Sequence, residues 1–181
     1  WSVLDNEIVD RVAQRAGVAP EVVALEDERA PTFVERLAQA LAASSQEYAV
    51  PALGIALRPG EPDLVRLTEL VVHEAAVQGR VVLVGRAAPA VLGTAIQALH
   101  VKVIAARPFR IQLGMQASGL EARAAEQLMD DTDARRARYH REHYGRDWDD
   151  PSHYHMVLNT GLLGLDGAAG IILARARALG W

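Results

Sequence analysis

The fold class expected from this sequence is α/β, a parallel sheet with helices on both faces. Four short apolar runs, at 2–5, 81–86, 101–105 and 156–160, punctuate segments with helical apolar spacing. The runs at 81–84 and 101–106 are continuous rather than alternating, as in strands covered on both sides. Strands alternating with helices give a parallel sheet. At 181 residues the chain fits one domain, 1–181, large enough to bury a core.

Taken in order, Ser2 to Leu4 reads as a strand that ends at Asp5-Asn6, a natural helix N-cap. Ile8, Val9, Val12 and Ala16 repeat at helical spacing up to Gly17, a stop signal. Pro20 begins a second short helix. Thr32-Phe33-Val34-Glu35 is a capping box, with Leu37 and Leu41 continuing its apolar face. Residues 44–63 carry Ser44-Ser45, Pro51, Pro59-Gly60 and Pro62, and predict an irregular, mobile loop. Leu64, Leu67, Leu70-Val71 and Ala75 predict a helix ended by Gly79.

Ser118-Gly119-Leu120-Glu121 is a second capping box, opening a charged helix to about Tyr144, after which 145–151 forms a polar hinge. Met156-Val157-Leu158 is the last strand. Leu165, Ala168, Ile172, Leu173, Ala176 and Leu179 trace the inner face of a closing helix.

A net charge of -4 argues against a nucleic-acid polymer as partner, since that surface needs a basic face. The absence of cysteine excludes disulfides, thiol catalysis and thiolate metal sites. No apolar run has bilayer-spanning length and no secretory signal opens the chain, so the expectation is a soluble cytoplasmic protein without a membrane partner. The basic residues are arginines, apart from Lys102, and they cluster locally. Arginine's planar fork suits phosphate.

Leu4-Asp5-Asn6-Glu7-Ile8-Val9-Asp10-Arg11-Val12 resembles the start of the substrate-binding region of cytidylate kinases. Ala30-Pro31-Thr32-Phe33, Val84-Gly85-Arg86-Ala87 and Asp133-x-x-Arg136 are similar to recurring segments of the cytidylate kinase-like family of P-loop kinases. So are residues 145–151 and Leu158-Asn159-Thr160-Gly161. Each segment alone is weak; their joint order along the chain is specific.

The resemblance implies a nucleoside monophosphate kinase sheet of P-loop NTP hydrolase type, with an acceptor-binding region at 6–63 and a lid at 130–151. It implies that Asp5, Asn6, Arg11 and Arg86 hold the acceptor and that Asn159 lies beside the base. Asp133 and Arg136, with Arg135 and Arg138, would act catalytically in the lid. The implied activity is phosphoryl transfer from ATP, with Mg2+, to a nucleoside monophosphate, CMP or dCMP first. An oligomer is compatible with it.

The residues themselves leave other readings open. Arg11 also reads as a solvated surface charge. Arg135, Arg136 and Arg138 lie among Asp130, Asp131, Asp133 and Glu142, and on spacing alone helix-surface ion pairs are the simpler account. His140, His143, His153 and His155 invite a metal reading, but the resemblance implies none. Trp148 and Tyr154 read as hinge packing or as base-stacking groups.

One expected motif is absent. No G-x-x-x-x-G-K-[ST] or Gly-Ser-Gly-Gly-like turn is present to cradle phosphates. The chain begins at what the resemblance makes the second strand. The expectation is therefore a longer parent protein with an upstream strand–loop–helix unit of about 30 residues. The competing class is a non-catalytic nucleotide- or anion-binding regulatory domain on a kinase scaffold.

Overall fold

The computed structural model describes residues 1–25, 61–94 and 96–181. The expected capping box at 32–35, the segment at 30–33 and the loop at 44–60 lie outside the described residues. The chain divides into two compact units, Trp1–Val91 and Leu92–Trp181.

In the first unit, β1 (Ser2–Leu4) pairs in parallel with β2 (Val81–Leu83), with Leu4 opposite Leu83. Between them run α1 (Asn6–Ala16), α2 (Pro20–Leu25) and α3 (Glu61–Gln78). Ile8, Val12 and Ala13 of α1 and Leu64, Val71, Val72 and Ala75 of α3 are buried, and the two helices pack against each other. Arg15 Nη2 closes their rim on Glu74 at 2.5 Å, a bond that holds the Glu74 carboxyl below its usual range. Gly17, at φ 67°, ends α1 as expected.

Three expectations are corrected here. Residues 61–63 belong to α3 rather than to a loop, because a proline in the first turn costs no hydrogen bond and presets φ. The Asp5 side chain makes no cap bond with α1; it lies toward Arg86 instead. Val82 is 47% exposed and Val3 60% exposed, so this pair is not covered on both faces.

In the second unit, β3 (Val101–Ile104) pairs in parallel with β4 (Met156–Asn159), in register from Val101–Met156 to Ile104–Asn159. The described strands thus make two separate two-stranded parallel sheets. A short helix, α4 (Ala88–Leu92), precedes β3. Then come α5 (Arg107–Ser118), α6 (Ala122–Tyr144) and α7 (Thr160–Ala178).

Helix α6 ends at Tyr144 as expected, where Gly145 turns left-handed at φ 60°. Its expected capping box does not form. Ser118 is the last residue of α5, and its hydroxyl donates back to the Gly114 carbonyl at 2.6 Å. In α7 only part of the expected inner face is buried: Ala168 is covered, whereas Leu165 and Leu173 are exposed. The helix is apolar around much of its circumference and breaks at Gly164 (φ 71°, ψ 167°), which shifts the phase of its faces. Among the described residues no helix is long and apolar enough to cross a membrane.

Candidate functional site

In the first unit the chemistry gathers at the C-terminal ends of two parallel strands, where open α/β sheets receive ligands. The β1–β2 pairing extends one residue further, Val84 N–H donating to the Leu4 carbonyl at 3.0 Å. The backbone then turns left-handed over three consecutive residues, Gly85, Arg86 and Ala87, at φ 75°, 59° and 49°. Glycine adopts this freely, but for arginine and alanine it costs about 1–2 kcal/mol each. That cost is tolerated where surrounding structure over-determines the turn. Here the Ala88 N–H donates to the Gly85 carbonyl at 3.2 Å and the Ala90 N–H to the Ala87 carbonyl at 2.7 Å, leading into α4.

The turn places Arg86 inside the protein, 2% exposed, with Nη2 4.0 Å from Asp5 Oδ1 at the end of the neighbouring strand. Ala87 and Ala88 are buried beside it, so the position after Arg86 is filled by a small apolar group. The sequence-predicted pair Asp5 and Arg86 is therefore brought together. Asn6 and Arg11 lie on the exposed surface of α1. Glu7 accepts from the Asp5 N–H at 3.0 Å; this backbone bond is the main cause of its lowered carboxyl pKa, and Arg11 adds to it.

In the second unit, α5 and α6 pack against each other and are joined by ion pairs. Arg107 donates to Glu126 Oε1 (2.8 and 3.1 Å) and to both Asp130 oxygens (2.7 Å each). These bonds raise the Arg107 pKa further and lower that of Asp130. Arg110 grips Asp133 bidentately at 2.7 and 2.9 Å, and its pKa is raised chiefly by that bond, against the effect of burial. Arg136 reaches the same Asp133 Oδ1 at 3.4 Å.

Of the predicted lid residues, Asp133 and Arg136 are therefore joined. Arg138 lies 3.9 Å from Glu142 on the exposed side of α6, and Arg135 is half-buried. Sequence reasoning missed Arg107 and Arg110. Their three-residue spacing, facing acids spaced four and three apart at 126, 130 and 133, was the available signal.

A second group missed from sequence surrounds Lys102 on β3, 8% exposed. Its Nζ donates to the Trp148 carbonyl at 2.7 Å and to Asp149 Oδ1. It lies 4.2 Å from the Trp148 ring centroid and 5.5 Å from that of Tyr154. The Tyr154 hydroxyl donates to the same Trp148 carbonyl at 2.9 Å. Asn159 caps α7, accepting from the Gly161 N–H at 3.0 Å. A Cβ at 161 would come within 3.2 Å of Asn159 Oδ1, close enough that the capping side chain would have to shift by a few tenths of an ångström.

The four clustered histidines are dispersed by the fold. His140 and His143 pack among Tyr139 and Tyr144, His153 bonds the Asp147 carbonyl, and His155 Nδ1 accepts from the His100 N–H at 2.9 Å. Among the described residues no group of three or more potential ligands is arranged to hold a metal ion. Asp130 and Asp133 are engaged by arginines, so these carboxylates do not fit a magnesium site.

The chain matches the cytidylate kinase-like family over residues 1–162. No curated protein matches it. Among solved structures, an uncharacterized protein from Eubacterium ventriosum ATCC 27560 is similar at a TM-score of 0.58 and 19% identity. That match covers 64% of this chain and 73% of the other, a likeness of fold alone. Because that family match extends over most of its length, the chain belongs to the cytidylate kinase-like family.

Proposed function

We propose that this protein transfers a phosphoryl group to a nucleoside monophosphate, CMP or dCMP in the first instance. The observation that carries the reading is Arg86, fully buried at the end of β2 and facing Asp5. A buried guanidinium aimed from a strand end suits a ligand with phosphate oxygens. Arg86 and Asp5, with Asn6 and Arg11 of the 6–63 acceptor-binding region, hold the acceptor. Asp133 and Arg136, with Arg135 and Arg138, act from a lid at 130–151. Asn159 flanks the base.

ATP with magnesium supplies the phosphoryl group when bound. The acceptor phosphate is already a nucleophile, so no protein base is needed. One oxygen–phosphorus bond forms as the bond to the departing ADP breaks. What this chain contributes is positioning and cationic stabilisation of the equatorial oxygens. A cytoplasmic setting fits these substrates, and the whole 1–181 stretch acts as one functional domain.

A second reading, a regulatory domain that binds a nucleotide or anion without catalysis, is favoured by the engagement of Asp133 with Arg110. Calorimetric titration of CMP, dCMP, AMP, UMP and ATP into the longest natural form of the protein, with coupled turnover, separates the two. ATP binding with turnover on CMP or dCMP is expected. Monophosphate binding without ATP binding establishes the sensor, and no nucleotide binding defeats the kinase reading and the nucleotide form of the regulatory one.

A further inference from the structure

Lys102, the only lysine, is buried although burial of an ammonium carries a heavy desolvation cost. If the site needed only packing, an apolar side chain of similar volume would serve as well or better. What the ammonium adds is direction. It holds the Trp148 carbonyl and Asp149 by hydrogen bonds and faces the Trp148 ring at 4.2 Å, fixing both the backbone and the ring of one residue. Tyr154 bonds the same carbonyl. The surrounding segment is tied locally, the Asp149 N–H donating to Asp147 Oδ1 at 2.9 Å and the Ser152 N–H to Asp150 Oδ1 at 2.8 Å.

The fixed ring meets a second cation. The Arg136 guanidinium carbon lies 5.9 Å from the Trp148 centroid, at the outer edge of cation–π range. Two cations at one ring would repel, but each brings its own carboxylate, Asp149 for Lys102 and Asp133 for Arg136. Arg136 is therefore held by Asp133 on its own helix and by an aromatic face from the 145–151 segment, and that face is set from β3.

We infer that Lys102 and Trp148 are positioning residues for Arg136, holding its guanidinium in the orientation that meets phosphate oxygens. The inference rests on the nucleotide-kinase reading for the identity of the phosphate, and on the Lys102–Trp148–Arg136 geometry for everything else. A relay of this kind has a signature that a merely structural role lacks: removing Trp148 matters only while Arg136 is present.

The test is a double-mutant cycle with Trp148→Leu and Arg136→Ala in the full-length protein. It is read both as affinity for inorganic tripolyphosphate and as kcat and KM on the preferred monophosphate. Trp148→Leu is expected to weaken tripolyphosphate binding and lower kcat by about tenfold, with monophosphate KM unchanged. In the Arg136→Ala background it should have no further effect. Trp148→Phe, which keeps an aromatic face, should restore most of the loss, and Lys102→Met should reproduce Trp148→Leu. Thermal unfolding identifies a variant that fails to fold; if Trp148→Leu does, Lys102→Met takes its place in the cycle, and Arg136→Lys replaces Arg136→Ala on the same ground.

Equal effects of the tryptophan change in both backgrounds would overturn the inference. If the wild-type protein binds tripolyphosphate but turns over no monophosphate, the kinase reading fails while the affinity cycle still decides the positioning role. If it binds no tripolyphosphate, Arg136 meets no phosphate and the inference falls.

Discussion

Two arginines, Arg80 at φ 51° and Arg86 at φ 59°, share left-handed backbone in very different surroundings. Arg80 is exposed and its contribution is a carbonyl that accepts from the Ser2 N–H at 3.0 Å. Its side chain offsets none of the strain, so Arg80→Gly is expected to stabilise the fold by about 0.5–1 kcal/mol, the left-handed cost less glycine's added chain entropy. Chemical denaturation would register this as a raised midpoint at constant slope. Arg86 bears the same strain with its side chain buried against Asp5, the pattern of a residue retained for what it holds. Charge-assisted hydrogen bonds contribute about 1.5–3 kcal/mol, so Arg86→Ala should weaken monophosphate binding by about 10- to 100-fold in calorimetry. Arg86→Lys should recover little of it, because the fork is lost with the guanidinium. Arg86 was legible in the sequence because it directly follows an apolar run. The three-residue left-handed turn that aims it was not, since Arg86 and Ala87 are residue types that seldom mark such a turn.

Helix α5 illustrates what apolar spacing cannot report. None of its residues is buried, so it has no hydrophobic stripe to read, and it is fastened to α6 by Arg107 and Arg110. The end of α6 was legible from Gly145 and that of α1 from Gly17, because a left-handed exit selects glycine by sterics alone. Start signals were less faithful. Asp5 turns to an arginine and Ser118 to its own helix, both being side chains with several competing partners.

The ionic fastening makes acid sensitivity an element-level property. Asp130 is held below its ordinary pKa by the Arg107 hydrogen bond, so its charged form favours the folded state. That contribution is complete above the unfolded value of about 3.9 and is lost as pH falls through the lower folded value. Thermal unfolding followed between pH 6 and pH 2.5 should show a drop confined to the acid end. In Asp130→Asn that drop should be smaller, and the stability at neutral pH already reduced. Because these groups are exposed, high salt should shrink the difference between the two proteins.

At the scale of the whole molecule, the order of elements was legible and the covering of the strands was not. A run of valines announces a strand, but whether one face or two is covered depends on neighbours distant in sequence. Val3, Val82, Val103 and Ile104 are all substantially exposed. Family membership rests on a match along residues 1–162 and does not depend on how the strands are covered, whereas the contacts of Asp133 and Arg136 are not encoded in serial order.

The burial of Lys102 has a consequence for the chemistry of the entire chain. It holds the only side-chain amine among 181 residues, and that amine is enclosed by Asp149, Trp148 and Tyr154. Acylating reagents, which require the free-base amine in contact with solvent, should react with it only when the 145–151 segment opens. Mass spectrometry of a timed acylation would then show slow, single-exponential labelling of Lys102 under native conditions and rapid labelling in denaturant. Fast native labelling would contradict the enclosure. The protein thus contains its own one-site clock for local opening, and every lysine-directed modification must wait for the same event.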